Sequence, residues 1–147
     1  MADWRENLLE DDARIAALVR SAKRIAVLGI KTEAQADQPA FHVAKYVADR
    51  GAEVIPVPVY YPEVKEILGR PVYRKVADVP GEVDVVDVFR RPSDVPAHLD
   101  DLLAKRPRAV WLQLGIRNDA AAERLARAGI LVVQDRCLQV EWKRFRG

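Results

Sequence analysis

The run Val83-Asp84-Val85-Val86-Asp87-Val88-Phe89 carries apolar residues on both of its alternating faces. Successive side chains of a strand point to opposite sides, so this strand must be covered from above and below. A parallel sheet between two layers of helices meets that demand. Further short apolar runs are Arg24-Ile25-Ala26-Val27-Leu28, Glu53-Val54-Ile55-Pro56-Val57, Ala109-Val110-Trp111-Leu112 and Ile130-Leu131-Val132-Val133. Helical stripes separate them. Pro39 opens one stripe of Ala40, Val43, Ala44, Val47 and Ala48, which Gly51 closes. Ser93 or Asp94 is predicted to cap a second, with Val95, Leu99, Leu102 and Leu103. Asn118 caps a third, through Ala121, Ala122, Leu125 and Ala126 to Gly129. Asp135 is predicted to cap a last helix with Cys137, Leu138 and Trp142.

Two stretches read less regularly. Ahead of the first strand, Leu8, Leu9, Ile15, Leu18 and Val19 predict a helix over about 5–20, interrupted near a cap at Asp11 or Asp12. After the second strand, Pro56 and Pro58 weaken a central-strand reading, and Tyr60, Tyr61 and Pro62 form a loop. A helical turn around 63–68 and a brief strand with Val72 and Tyr73 are expected next.

The alternation predicts an α/β sandwich of three layers with a mainly parallel sheet. Its 147 residues, 50% hydrophobic, suit one domain across 1–147. The one cysteine, Cys137, permits neither an internal disulfide nor a multi-cysteine metal site. A net charge of +2 gives no electrostatic footprint for nucleic acid. No run reaches the roughly 18 apolar residues of a membrane span, and the opening residues lack a signal peptide's apolar core. The expectation is a cytoplasmic protein without nucleic-acid or membrane partners. Arg-rich, Asn-poor usage fits a thermophile or a GC-rich source. Trp4, Trp142 and Phe145 near the ends either cover the chain's own core or pack between subunits.

In open parallel sheets, ligands bind beyond the carboxyl ends of the strands. The residues to weigh are therefore 29–38, 57–61, 89–92 and 113–117. Gly29 either makes a tight turn or lets a phosphate approach free N–H groups at the start of the next helix. The full GxGxxG pattern is missing, since Gly51 is the next glycine. Lys31 and Thr32 would add a cation and a hydroxyl to an anion there, or are solvated loop residues. An NAD site wants an acid at the end of the second strand; Val57-Pro58-Val59-Tyr60-Tyr61 has none before Glu63. That turn offers a flat seat for adenine, unless Tyr60 and Tyr61 only pack on the surface. Arg90 and Arg91 suit a phosphate, a bridge to Asp84 or Asp87, or solvent. Asp84 and Asp87 point to opposite faces, which suggests structural hydrogen bonding. His42, beside the first loop, and His98 lie on different helices and build no triad with a nucleophile. Cys137 is either a thiol activated at a helix start or an inert buried one.

The stretches 25–29, Val43-Ala44-Lys45-Tyr46, Val54-Ile55-Pro56-Val57, VDVVDVFRRP, WLQLG and Asp135-Arg136-Cys137 follow one another in an order that resembles small bacterial and archaeal CoA-binding proteins. These are similar to the N-terminal domain of succinyl-CoA synthetase alpha subunits, and the likeness covers about 15–145. It implies a Rossmann-like core over about 23–145 with CoA or an acyl-CoA across the carboxyl edge. By position, it implies that Gly29, Ile30, Lys31 and Thr32 surround the phosphates. Val57 and Pro58 would lie beside the adenosine, with Tyr60 in the same turn. Val88, Phe89 and Arg90 would lie near the pantetheine or pyrophosphate, with Gln113 and Leu114 at the next strand end. Lys31-Thr32-Glu33 stands where family members often carry serine and proline, and Pro58-Val59 where they often carry Asn-Pro. The synthetase's phosphorylated histidine lies in a domain outside this likeness, so ligase activity is not implied.

Three readings follow. The first is a non-catalytic binder of CoA or acyl-CoA. The second is a redox protein that exchanges the Cys137 thiol with CoA disulfides. The third is an interaction module that has lost its ligand, with its protein partner unidentified by sequence.

Overall fold

The structure, a computed structural model, describes residues 3–146. Its strands in chain order are β1 (Arg24–Leu28), β2 (Glu53–Val57), β3 (Glu66–Ile67), β4 (Arg70–Pro71), β5 (Val85–Val88), β6 (Ala109–Leu112) and β7 (Leu131–Val133). The helices are α1 (Asp12–Ser21), α2 (Pro39–Asp49), α3 (Leu99–Lys105), α4 (Asp119–Arg127) and α5 (Leu138–Arg146). β3 and β4 pair as a small antiparallel hairpin, and the other strands form one parallel sheet in the order β2-β1-β5-β6-β7. The fold is the Rossmann-like three-layer sandwich that the sequence leads one to expect.

The order of strands determines where the helices go. From β1 the chain steps one way to β2, and from β5 it steps the other way to β6 and β7. Right-handed crossovers then put α2 on one face and α3 and α4 on the other. With α1 and α5, α2 covers Ile25, Val27, Val85, Trp111 and Val133. Across the sheet, α3 and α4 cover Leu28, Val86, Val88, Val110 and Leu112. Leu28 sits beside Val57 on one side and Val88 on the other, and Val88 beside Leu112. The carboxyl ends of four strands thus finish on one line, with the reversal between β1 and β5.

Local chemistry sets the element ends. Asp11 caps α1 by accepting from the Arg14 N–H, and Asn118 caps α4 by accepting from Ala121 N–H at 3.0 Å. Pro56 is tolerated because β2 is an edge strand, and its carbonyl accepts from Tyr73 N–H at 3.0 Å. At the opposite edge, Leu9 N–H reaches Val132 O at 2.8 Å and covers β7. Trp142 is buried in the core, Phe145 packs against it, and Trp4 packs against the opposite layer. Within the chain, these terminal aromatics cover its own core.

Several local expectations are corrected. The N-terminal helix is interrupted at the Asp11 cap, as expected, but its first part is a 3-10 turn over Trp4–Asn7, and residues 8–10 are not helical. The turn expected at 63–68 and the strand at Val72 and Tyr73 give way to the β3–β4 hairpin. Gly69 and Leu68, both with positive φ, reverse the chain there. The helix after β5 starts as 3-10 turns over Pro92–His98, because Pro96 has no N–H for an α-helical bond. Neither Ser93 nor Asp94 caps it; Asp94 instead accepts from Arg91 Nε at 3.0 Å. Asp135 does not cap α5. It has φ 57° and accepts from Gly115 N–H at 2.7 Å, while Gln113 Oε1 takes the Leu138 N–H at 2.9 Å.

Candidate functional site

The reversal of strand order opens the sheet edge between β1 and β5, the usual place for a ligand in such folds. Gly29 stands at that fork with φ +86° and donates its N–H to Val57 O at 2.9 Å. An ideal Cβ on Gly29 would lie 2.4 Å from Phe89 O and 3.3 Å from Arg90 Cδ. Phe89 N–H in turn donates to Leu28 O at 2.9 Å. The close approach that this glycine permits is therefore made by the chain leaving β5.

Room for a ligand lies on the α3 side of the fork. A groove of about 570 Å³, within the range of small-molecule sites, has Leu28, Pro58, Val59, Ala97 and Ala104 as apolar walls. Arg74, Lys75, His98, Asp100 and Asp101 give it a polar rim. Arg74 is committed to the carbonyls of Tyr60, Tyr61 and Val64, at 2.7–3.2 Å. Asp101 accepts the N–H groups of Val76 and Ala77, each at 2.8 Å. These two side chains hold the β2–β5 connection around the groove. A smaller hollow of about 330 Å³ lies at the far edge, beside β7, and is lined by Arg117, Gln134 and Arg136.

Arg90 stands behind the groove and holds His98, one of its lining residues. Its Nε donates to His98 Nε2 at 3.2 Å and its Nη1 to Tyr60 Oη at 3.3 Å, and its Nη2 lies 3.6 Å from Asp94 Oδ2. Its guanidinium carbon also stands 5.5 Å from the centre of the Tyr60 ring. The arginine side chain is 15% exposed, so these partners fix it firmly. Burial, and then the Arg90 charge, hold the His98 pKa below its ordinary value. Arg91 is exposed and pairs with Asp94 at 3.0 Å. Neither arginine reaches Asp84 or Asp87, the partners the sequence offered.

The other expected site residues divide into buried and accessible ones. Ile30, Val57 and Val88 are buried, with side chains in the core. Pro58 is also buried, at the groove's floor. Lys31 is half-buried and its ammonium bonds the Gln38 amide, a neutral partner that leaves its charge unpaired among the described residues. Thr32 and Gln35 form a capping box that shapes the first loop, with Thr32 N–H donating to Gln35 Oε1 at 3.1 Å, and the Thr32 hydroxyl donates to the same oxygen at 2.8 Å. Phe89 is half-buried at the fork, and Tyr60 and Leu114 are exposed at 60% and 67%. Gln113 is buried and spent on α5. Cys137 lies half-buried between that bond and the one from Trp111 Nε1 to Arg136 O at 2.8 Å. His42 is exposed and bonds Gln139 at 2.9 Å.

Asp84 accepts the N–H groups of Lys23 and Arg24 at 2.8 and 2.9 Å. Asp87 makes no such bond. It is fully buried between Val27 and Trp111, and neither oxygen has a partner. Burial alone raises its pKa well above the ordinary carboxylate value.

Sequence reasoning weighs His98 only as a triad member, and Lys75 not at all. A signal for His98 was present: Pro92 and Pro96 impose tight 3-10 turns, which fold residue 98 back onto Arg90. Lys75 has no comparable sequence mark.

The model of a family described as CoA binding domain matches residues 23–143. The Bacillus subtilis protein YneT, itself uncharacterized, is 32% identical over 128 residues, covering 87% of this chain and 91% of that one. A Thermus thermophilus protein of solved structure is 40% identical with a TM-score of 0.84, covering 92% of this chain and 99% of that one. A Korarchaeum cryptofilum dinucleotide forming acetyl-coenzyme A synthetase 1 shares the fold at 22% identity and a TM-score of 0.63; 75% of this chain matches 25% of that one.

Proposed function

The chain belongs to the CoA-binding domain family, and from that membership we propose that it binds CoA or an acyl-CoA, without turnover, at the fork between β1 and β5. The observation that carries this reading is the 570 Å³ groove beside the fork, between the ends of β1 and β2 and α3, with Pro58 and Val59 where an NAD site would place an acid. The adenosine end lies in the groove, against Leu28, Pro58 and Val59 and beside Tyr60. The diphosphate lies toward the first loop, beside Gly29 and Thr32, whose N–H groups are held by Val57 O and Gln35 Oε1, and it meets the Ile30 backbone and the Lys31 ammonium. The pantetheine arm leaves past Val88, Phe89 and Gln113, and exposed Leu114 offers apolar surface to an acyl group.

Binding without turnover is supported by where the polar side chains are used. Arg74, Arg90, Asp101 and Gln113 each hold a loop or a helix start in place. No helix among the described residues is long and apolar enough to cross a membrane. A CoA ligand fits a cytoplasmic protein.

Native mass spectrometry with CoA, acetyl-CoA and NAD at equal concentrations tests the proposal. One CoA or acetyl-CoA per chain, with no NAD adduct, is expected. A spectrum with NAD but no CoA adduct, or with neither, would overturn it; the second would leave the interaction-module reading.

A further inference from the structure

We propose that His98 reads the base of the bound nucleotide as a neutral imidazole that donates from Nδ1, and that Arg90 is the positioning residue that holds it in that form. This rests on the CoA reading and assigns a role to a residue that the reading itself does not use.

The assignment follows from what a guanidinium can do. Arg90 Nε–H can only donate, so His98 Nε2, at 3.2 Å, must present its lone pair. In a neutral ring the proton then sits on Nδ1. His98 lines the groove, and Nδ1 has no acceptor among the described residues. The groove therefore carries one uncharged donor with an unused hydrogen, on a ring whose tautomer is fixed from behind.

The charges around the ring keep it neutral. Arg90 touches it from the β5 end, and Asp94 lies on its own segment. Asp101 acts from α3, but both its oxygens are engaged by Val76 and Ala77. Arg74, Lys75 and Asp100 line the same groove, and Tyr60 stands beyond Arg90. Burial and the touching cation outweigh the carboxylates, so the ring holds no second proton.

An uncharged donor against apolar walls suits a flat heteroaromatic ring whose nitrogens accept. Adenine fits, because its ring nitrogens N1, N3 and N7 carry no hydrogen in the nucleotide. A phosphate in the same place would favour a cation, and Lys75 on the rim, whose ammonium has no partner among the described residues, stands ready to serve one nearby.

The test uses two readouts. Nitrogen-15 NMR of the free protein reads the tautomer, and calorimetry reads the affinities for CoA, adenosine 3′,5′-bisphosphate and 4′-phosphopantetheine. We expect His98 as the Nδ1–H tautomer in the wild type and a shift toward Nε2–H in Arg90→Gln. His98→Ala should weaken CoA and the bisphosphate about tenfold, the effect of one lost hydrogen bond, with phosphopantetheine unchanged. His98→Asn, whose amide nitrogen stands in for Nδ1, should recover most of the loss. An Nε2–H tautomer in the wild type, no loss in His98→Ala, or equal loss for both halves of CoA would each overturn the assignment. A wild type that binds none of the three ligands would instead bring down the CoA reading, and this assignment with it.

Discussion

Gly29 and Phe89 meet backbone to backbone: the space for a Gly29 side chain is filled by the Phe89 carbonyl oxygen, 2.4 Å from an ideal Cβ. The fork between β1 and β5 closes on that contact, and Arg90 is carried from it toward His98 and Tyr60. The glycine here serves first to let the ends of β1 and β5 approach closely.

Gly29→Ala should therefore cost more than the roughly 1–2 kcal/mol of a left-handed backbone alone. Gly51→Ala is the control, since Gly51 has φ +100° and nothing within 4 Å. Chemical denaturation of both variants should show the larger loss at position 29. Equal losses would mean that the Phe89 contact does not constrain the fold.

Asp87 makes stability fall as pH rises. Its folded pKa lies well above the ordinary 3.8, so between those values the folded chain holds a proton that the unfolded chain has released. The group's contribution is intact below about pH 3.8 and lost progressively above it. Asp87→Asn should thus melt higher than wild type at pH 7 and close to it near pH 4. Melting curves across that range check this; a constant difference between the two proteins would contradict it.

Lys31 offers the first loop its unpaired charge. Lys31→Met should weaken CoA about tenfold at low salt, with a smaller difference as salt screens the diphosphate. Calorimetric titrations at two salt concentrations measure both effects. An unchanged affinity would move the diphosphate away from this loop.

The five-stranded sheet was legible because each strand is a run of apolar residues and each crossover a helical stripe. The segment between β2 and β5 was not. Its hairpin has only two residues in each strand, too few for periodicity to register, and Leu68 with positive φ has no composition signal. At the site, Gly29, Pro58 and Arg90 were visible from their places at strand ends. What Arg90 does was hidden, because it depends on Tyr60 and His98 arriving from two other segments. Asp135 looked like a helix cap by position, yet Gln113, distant in sequence, supplies the α5 acceptor instead.

Thermal unfolding with and without CoA tests the central claim most directly. Ligand at 100 times its Kd should add about 2.7 kcal/mol, a rise of roughly 5–10 °C in Tm for a chain of this size. That rise with CoA, and its absence with NAD, is the result expected. A Tm that stays fixed at millimolar CoA would contradict a nucleotide site at the β1–β5 fork.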